Sequence, residues 1–197
     1  MRTYFLTDVE TTGLDENKCD IWSIASKVFT IDKNEIIVLD EYYNLNKNVT
    51  IKDNVLRNKL NVDNVKQMGN ANSEKELMED FILFSGKIKL KNNSKCFMMG
   101  YNTSFDKDFI DSKVKLYNLP QIFEPQIMDI MQFFIFTRFI ANEQEYNFNL
   151  KNAVKTILTE SDKYVFHDSK NDVDATFDLF VSMLNKYTNF KVRKEQK

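Results

Sequence analysis

Three short β-rich segments in the first 45 residues limit the possible folds more than any other feature of the chain. Residues 4–7, 21–29 and 35–43 combine apolar, β-branched and aromatic side chains, which is typical of strands. Residues 31–34 (Ile-Asp-Lys-Asn) separate the second segment from the third and have the composition of a hairpin turn. The sequence therefore predicts that the chain opens with a three-stranded antiparallel meander.

The remainder of the chain alternates helical patterns with one further strand. Ser73 followed by Glu76 is a capping box at the start of a helix. A short apolar strand is predicted at residues 96–99 and ends in Gly100, and a polar stretch at residues 49–72 is predicted to form loops and short helices. Further helices are predicted at residues 105–117, 127–140, 149–158 and 171–187. This order indicates an α/β sandwich whose mixed sheet has a meander followed by a crossover to a parallel strand.

The bulk properties fit a single soluble domain. The chain has 197 residues and 43% hydrophobic residues, and we expect one domain at residues 1–187 with a charged, flexible tail at residues 188–197. It contains no apolar run long enough to span a membrane, and its N-terminus becomes acidic too soon for a signal peptide. Cys19 and Cys96 match no zinc or redox spacing, so a cytoplasmic location is expected. The net charge of −2 argues against broad wrapping of duplex DNA.

Asp8 and Glu10 stand at the end of the first predicted strand. Because side chains alternate along a strand, the two carboxylates point to the same face. Such a pair is costly unless a cation lies between its members, and Mg²⁺ prefers carboxylate oxygens. The alternative is an ordinary pair of surface acids beside a turn.

Three further polar residues fall next to predicted helix starts. Asp106 lies in the segment from Asn102, which follows a strand and opens a helix, and Asp172 lies in the first turn of the last helix. Helix capping and the helix dipole would explain both carboxylates without any chemistry. His167, the only histidine, precedes Asp172 by five residues, and histidine is the residue type best suited to activating water at neutral pH.

Taken in order, these segments resemble the three motifs of the DEDDh 3′→5′ exonucleases, whose best-known members are the proofreading epsilon subunits of bacterial DNA polymerase III. The similarity spans residues 3 to about 187. The motifs are Thr7-Asp8-Val9-Glu10-Thr11-Thr12-Gly13-Leu14, Gly100-Tyr101-Asn102-Thr103-Ser104-Phe105-Asp106, and His167-x4-Asp172-x2-Ala175-Thr176. Residues 126–129 and 149–150 also resemble segments of the family. Val9 in place of the commoner Thr and Ser169 two residues after the histidine are small departures that remove no ligand.

The resemblance implies a ribonuclease H-like α/β/α sandwich with a mixed five-stranded sheet. It implies two divalent cations, Mg²⁺ or Mn²⁺, with Asp8 bridging them and Asp106 acting mainly through coordinated water. The implied catalytic residues are Asp8, Glu10, Asp106, His167 and Asp172, of which the four carboxylates hold metal. The implied substrate-binding residues are Thr11, Thr12, Leu14, Asn102 and Phe105.

Two alternatives remain beside a nuclease that trims the 3′ end of single-stranded DNA. The first is an RNA-trimming enzyme similar to oligoribonuclease or ribonuclease T, because the contact to a 2′-hydroxyl cannot be located from the sequence. The second is an inactive nucleic-acid-binding module, although such relatives normally lose a catalytic residue and all five are present here. A polymerase or replisome protein is a candidate partner, and the choice between monomer and homodimer stays open.

Overall fold

A computed structural model describes residues 2–50, 69–142 and 147–195, and this part of the chain forms one mixed sheet between two layers of helices. The strands are β1 (Arg2–Thr11), β2 (Ile21–Asp32), β3 (Glu35–Leu45), β4 (Lys95–Gly100), β5 (Phe123–Asp129) and β6 (Lys191–Lys194). The α-helices are α1 (Glu74–Asn92), α2 (Thr103–Leu116), α3 (Ile130–Ile140), α4 (Leu150–Ile157) and α5 (Ser169–Asn185). A 3₁₀ turn, Ser161–Lys163, lies between α4 and α5.

The strand order in the sheet is β5-β4-β1-β2-β3-β6. Strands β1, β2 and β3 form the predicted antiparallel meander, with the tight turn at Lys33 and Asn34. Strand β4 returns parallel to β1, and β5 lies parallel to β4. The predicted α/β class and mixed sheet are therefore confirmed, but the sheet has six strands instead of five.

The sixth strand lies in the segment predicted to be a flexible tail. Residues Lys191–Lys194 run parallel to β3, and the backbone N–H groups of Lys191 and Glu195 donate to the carbonyls of Asn34 and Val38. All four side chains of β6 are exposed. The sequence did not indicate this strand, because backbone pairing at a sheet edge leaves no hydrophobic pattern in the sequence.

The apolar segment at residues 127–140 is a strand followed by a helix, and not the single helix that its composition predicts. Strand β5 carries the chain as far as Asp129, whose side chain accepts a hydrogen bond from the Met131 N–H and so caps α3. Pro125 lies on this strand, which is an edge strand and can tolerate a residue without an N–H. The change from strand to helix occurs at this capping aspartate.

Alternation along β1 divides the interior into two cores on opposite faces of the sheet. Phe5 and Val9 pack into the core beneath α1 and α2. Leu6 packs into the second core, beneath α3, α4 and α5. Asp8 and Glu10 are an even number of residues from Leu6, so their side chains lie on the face that α5 covers.

Other sequence predictions are tested only in part. Ser73 caps α1 by accepting a hydrogen bond from the Glu76 N–H, as predicted. Residues 51–68 of the predicted loop-rich stretch lie outside the described residues. Among the helices that the structure describes, none is long and apolar enough to cross a membrane.

Candidate active site

The site begins where β1 extends beyond its neighbour β4. Pairing with β4 ends at Leu6 opposite Met99, which leaves the C-terminal half of β1 without a strand on that side. The Val9 N–H instead donates to Oδ1 of Asp106 at 2.9 Å. Asp106 is 96% buried in the first turn of α2. Its carboxylate accepts the hydrogen bond that a neighbouring strand would otherwise accept, and this contact fixes it beside β1.

Gly100 permits this close approach of the β4–α2 connection to β1. A Cβ at residue 100 would lie 2.9 Å from the carbonyl oxygen of Thr7 and 3.8 Å from Oδ2 of Asp106. The backbone oxygen of a central strand cannot move out of the way easily. A side chain at this position would therefore push Asp106 away from β1.

The N-terminus of α5 brings in the last two residues of the predicted set. Asp168 caps the helix by accepting a hydrogen bond from the Asn171 N–H. One turn later, Oδ2 of Asp172 accepts a hydrogen bond of 3.0 Å from the backbone N–H of His167. His167 has a φ of 68°, in the left-handed region, and its side chain is exposed. The reversed backbone is what lets this N–H point back toward the helix that follows it.

Asp8, Glu10 and Asp172 form one compact carboxylate cluster. Each contributes an oxygen, and these oxygens all lie within 4.8 Å of one another. Oδ1 of Asp172 is buried and has no hydrogen-bond partner among the described residues. An unpartnered buried oxygen beside two further carboxylates fits a hard divalent cation such as Mg²⁺ or Mn²⁺.

The electrostatics of the cluster also require a counter-charge. Burial raises the pKa of Asp106 to about 8, against the opposing effect of the Val9 hydrogen bond. Burial likewise raises the pKa of Asp172 to about 7, with Asp168 adding to the effect. The pKa of Asp8 lies well above its usual range because of burial and the nearby charges of Asp106, Asp172 and Glu10. Protonation or a bound cation must relieve this repulsion.

A hydroxyl network fixes the α5 end of the site to the sheet. Ser169 Oγ lies 2.7 Å from Ser23 Oγ on β2, and both side chains are buried. Tyr43 on β3 is hydrogen-bonded to Ser23, and burial together with the charge of Asp168 raises the pKa of this phenol to about 12. The small residue two positions after the histidine thus anchors the helix that carries Asp172.

Three of the predicted substrate-binding residues, Thr11, Thr12 and Leu14, lie at the end of β1 and in the loop that follows it. Thr11 Oγ1 donates to the carbonyl of Gly13, and Thr12 Oγ1 accepts from the Asp20 N–H, so both hydroxyls shape the loop. Leu14 at its tip is 86% exposed. Gly13, in the same loop, does not have a positive φ, and a Cβ there would lie 2.6 Å from Cys19 Sγ.

Asn102 and Phe105 lie across from this loop at the start of α2. Asn102 has a φ of 64° and occupies the N-cap position, but its side chain makes no capping hydrogen bond. The ring of Phe105 is partly buried and packs on Phe109, with ring centroids 4.9 Å apart. Both residues lie beside Asp106 at the N-terminal end of α2, and their contact with substrate stays a prediction.

Two acidic residues near the site were not assigned a role from the sequence. Asp129 accepts a hydrogen bond of 3.1 Å from the Asn102 N–H, so it holds the turn that starts α2, and its charge helps to raise the pKa of Asp106. Asp168 acts on Asp8 and Asp172 in the same way. A capping pattern in the sequence could have located Asp168, whereas the bridge from Asp129 to Asn102 depends on the pairing of β4 with β5.

We predict that the stability of the metal-free protein falls as pH rises. An aspartate whose pKa is raised by folding stabilises the folded state at a pH below the pKa that it has in the unfolded chain. This contribution is lost as the pH rises through the pKa that it has in the folded protein. For Asp106 and Asp172 the window therefore runs from about pH 4 to pH 8. In EDTA, the Tm should fall by about 5–10 °C between pH 5.5 and 8.5, the equivalent of roughly 2–3 kcal/mol.

Differential scanning fluorimetry with and without Mn²⁺ checks this prediction. The stabilisation by Mn²⁺ should be larger at pH 8.5 than at pH 5.5, because the cation competes with protons for the same oxygens. A Tm in EDTA that is constant or rises across this range would contradict the raised pKa values.

We predict that Gly100→Ala disrupts the site by displacing Asp106. The added methyl group meets the Thr7 carbonyl oxygen at 2.9 Å, so the β4–α2 connection must shift. The free energy of unfolding should fall by about 1–3 kcal/mol, the usual cost of overpacking. Urea unfolding measures the loss, and Gly86→Ala is the control, because a Cβ there has no neighbour closer than 3.8 Å. Equal stability of the two variants would refute the packing argument.

The chain was also compared with known proteins. The family described as RNase_T: Exonuclease matches residues 5–180, which is most of the chain. No curated protein is similar enough in sequence to count as a match.

The fold is similar to that of exonuclease I. The zinc-bound form of the Escherichia coli exonuclease I–ssDNA complex has a TM-score of 0.66 and 14% sequence identity, over 95% of this chain and 41% of that one. A second exonuclease I structure has a TM-score of 0.67 and 15% identity, over 94% and 41%. The E. coli enzyme in complex with a dA16 oligonucleotide has a TM-score of 0.63 and 13% identity, over 94% and 41%. The chain thus spans less than half of exonuclease I, and at this identity the likeness concerns the fold. With the family match over residues 5–180, the chain belongs to the RNase T exonuclease family.

Proposed function

We propose that the protein is a metal-dependent 3′→5′ exonuclease that releases nucleoside 5′-monophosphates from single-stranded DNA. The observation that carries this proposal is the cluster of Asp8, Glu10 and Asp172, with its unpartnered buried oxygen, in a chain of an exonuclease family. A cation-binding carboxylate cluster beside a single exposed histidine is suited to phosphodiester hydrolysis.

Each residue of the site has a distinct task in this reaction. Asp8, Glu10 and Asp172 would hold divalent ions, with Asp106 acting through coordinated water. Bound ions supply an activated water and stabilise the departing 3′ oxygen. The neutral imidazole of His167 takes the proton of the attacking water. A bond from the water oxygen to phosphorus forms, and the bond from phosphorus to the 3′ oxygen of the preceding nucleotide breaks. The departing 3′ oxygen takes a proton from solvent, and His167 returns the proton of the attacking water to solvent.

Single-stranded DNA is proposed as the substrate by analogy. The exonuclease I structures that resemble this chain include complexes with single-stranded DNA, which supports the same substrate here by analogy. Leu14, exposed at the loop tip, and Phe105 would pack on the terminal base and sugar. These contacts do not distinguish deoxyribose from ribose, so the alternative of an exoribonuclease is tested in the same experiment.

We predict that Asp172→Asn abolishes stepwise shortening from the 3′ end. The substitution keeps the size of the side chain and an acceptor for the His167 N–H, but it removes one charged ligand. Activity with Mn²⁺ should fall by more than about 100-fold, since even partners of metal ligands cost 10–100-fold. Matched 3′-labelled and 5′-labelled DNA and RNA oligonucleotides of one sequence measure the direction and the sugar preference.

Asp108→Asn is the matched control. Asp108 is an exposed aspartate of α2, so this substitution removes the same charge at a position outside the cluster. Cleavage from the 5′ end, or a rate that does not depend on added divalent cation, would refute the proposal. A faster rate on RNA than on DNA would select the exoribonuclease alternative.

We predict that His167→Asn lowers kcat by about 10²–10⁴-fold, the usual contribution of a general base. Asparagine is chosen because it tolerates the left-handed φ of 68° better than alanine, so the N–H bond to Asp172 is retained. Calorimetry should find the Mn²⁺ affinity close to that of the wild type, which separates proton transfer from metal binding. A kcat near the wild-type value would exclude His167 as the base.

A further inference from the structure

A groove of about 710 Å³ opens beside the carboxylate cluster, and apart from His167 and Asp172 its lining residues have no part in the reaction described above. His167 and Asp172 form the end nearest the cluster. One wall is a side of α4 that carries Lys151 and Lys155, and the other is the segment from Ser161 to Phe166. The groove therefore adjoins the carboxylate cluster.

Two lysines of α4 face this groove. Lys151 and Lys155 are one helical turn apart, and both line the groove and are exposed. Ala153 and Val154, on the other side of the helix, are buried in the core. Packing of that apolar side fixes which side of α4 faces the groove.

Neither lysine has an acidic partner among the residues that the structure describes. Lys27 and Lys107, by contrast, are ion-paired with Asp174 and Asp111. The one acidic side chain in the wall itself is that of Asp162, which is exposed. Two cations with free ammonium groups at the edge of an acidic site can bind an anion there.

The opposite wall carries aromatic side chains. The rings of Tyr164 and Phe166 are partly buried, with centroids 6.4 Å apart. The Tyr164 hydroxyl donates to Asp178, which holds the ring in place, and Val165 between the two rings is 68% exposed. Positive charge on one wall and aromatic surface on the other is the combination that binds single-stranded nucleic acid.

The groove lies on the side of the cluster that the terminal nucleotide does not need. Phe105 belongs to α2, which covers one face of the sheet, whereas α4 and α5 cover the other face. If the terminal nucleotide lies against Leu14 and Phe105, the strand that precedes it must leave past the cluster toward the opposite side.

We propose that this groove binds the single strand on the 5′ side of the cleaved bond, with Lys151 and Lys155 contacting consecutive backbone phosphates. The inference rests on the proposed exonuclease function and adds a binding surface to it. The phosphates would otherwise approach a site crowded with carboxylates. The contacts involve no base edges, so they grip DNA of any sequence.

The test compares the wild type, Lys151→Gln/Lys155→Gln and a control, Lys87→Gln/Lys115→Gln. The control removes two exposed lysines of α1 and α2, on the other face of the sheet, so the change in net charge is the same. Binding of a fluorescent 12-nucleotide single strand is measured by anisotropy with Ca²⁺ at several salt concentrations. Hydrolysis with Mn²⁺ is measured on the same strand and on a dinucleotide.

The groove variant should show a smaller salt dependence of binding. Loss of two phosphate contacts reduces the slope of log K against log [salt] by about 1.4, since each contact on a single strand contributes about 0.7. The ratio of kcat/KM for the 12-mer to that for the dinucleotide should fall by about tenfold, whereas the control should match the wild type in both measurements.

The two proposals fail in different ways. If the wild type hydrolyses both substrates and the groove variant keeps the wild-type slope and ratio, the groove does not bind the strand. An equal loss in the control and the groove variant would attribute the effect to net charge and overturn the assignment. If the wild type hydrolyses neither substrate, the exonuclease function fails, and the inference falls with it.

Discussion

The structure is organised around carboxylates that repel one another and are nevertheless held together. Asp8 and Glu10 share a face of β1, and Asp172 is delivered by α5, so their oxygens lie within 4.8 Å. Two hydrophobic cores, one on each face of the sheet, fix these elements and oppose the repulsion. Burial, with a smaller contribution from neighbouring carboxylates, raises the pKa of Asp8 and Asp172 and so disfavours their charged forms. Holding like charges together lowers the stability of the metal-free fold, and a cation that binds the folded state restores it.

Local signals were sufficient to predict most of the fold, and long-range backbone pairing was not. The hairpin between β2 and β3 and the cap at Ser73 each depend on a few neighbouring residues, and both are present. Strand β6 depends on hydrogen bonds to β3, more than 150 residues earlier in the chain, and its exposed side chains add no hydrophobic pattern. Strand β5 was hidden because apolar residues continue without a break into α3.

The carboxylates of the candidate site could be predicted from local motifs, whereas the contacts that hold them could not. Asp8, Glu10 and Asp172 could be found because they stand at the end of a strand and the start of a helix, where the motifs place them. Two contacts that hold the site together could not be predicted from the sequence. The Val9 N–H donates to Asp106 across 97 residues, and Gly100 is needed because a carbonyl of the neighbouring strand lies above it. Such contacts exist only after the strands have paired.

The charge distribution explains how a protein with a net charge of −2 can act on a polyanion. In the proposed reaction, the acidic cluster would repel phosphate until cations occupied it, after which the same cluster would attract the bond to be cleaved. Lys151 and Lys155 lie in the adjoining groove and are too few to bind duplex DNA strongly without such ions. The affinity for nucleic acid would then depend more on the divalent cation than on the charge of the protein surface. Under this proposal, a free chain end that reaches both the cluster and the groove would be favoured over an internal segment of duplex.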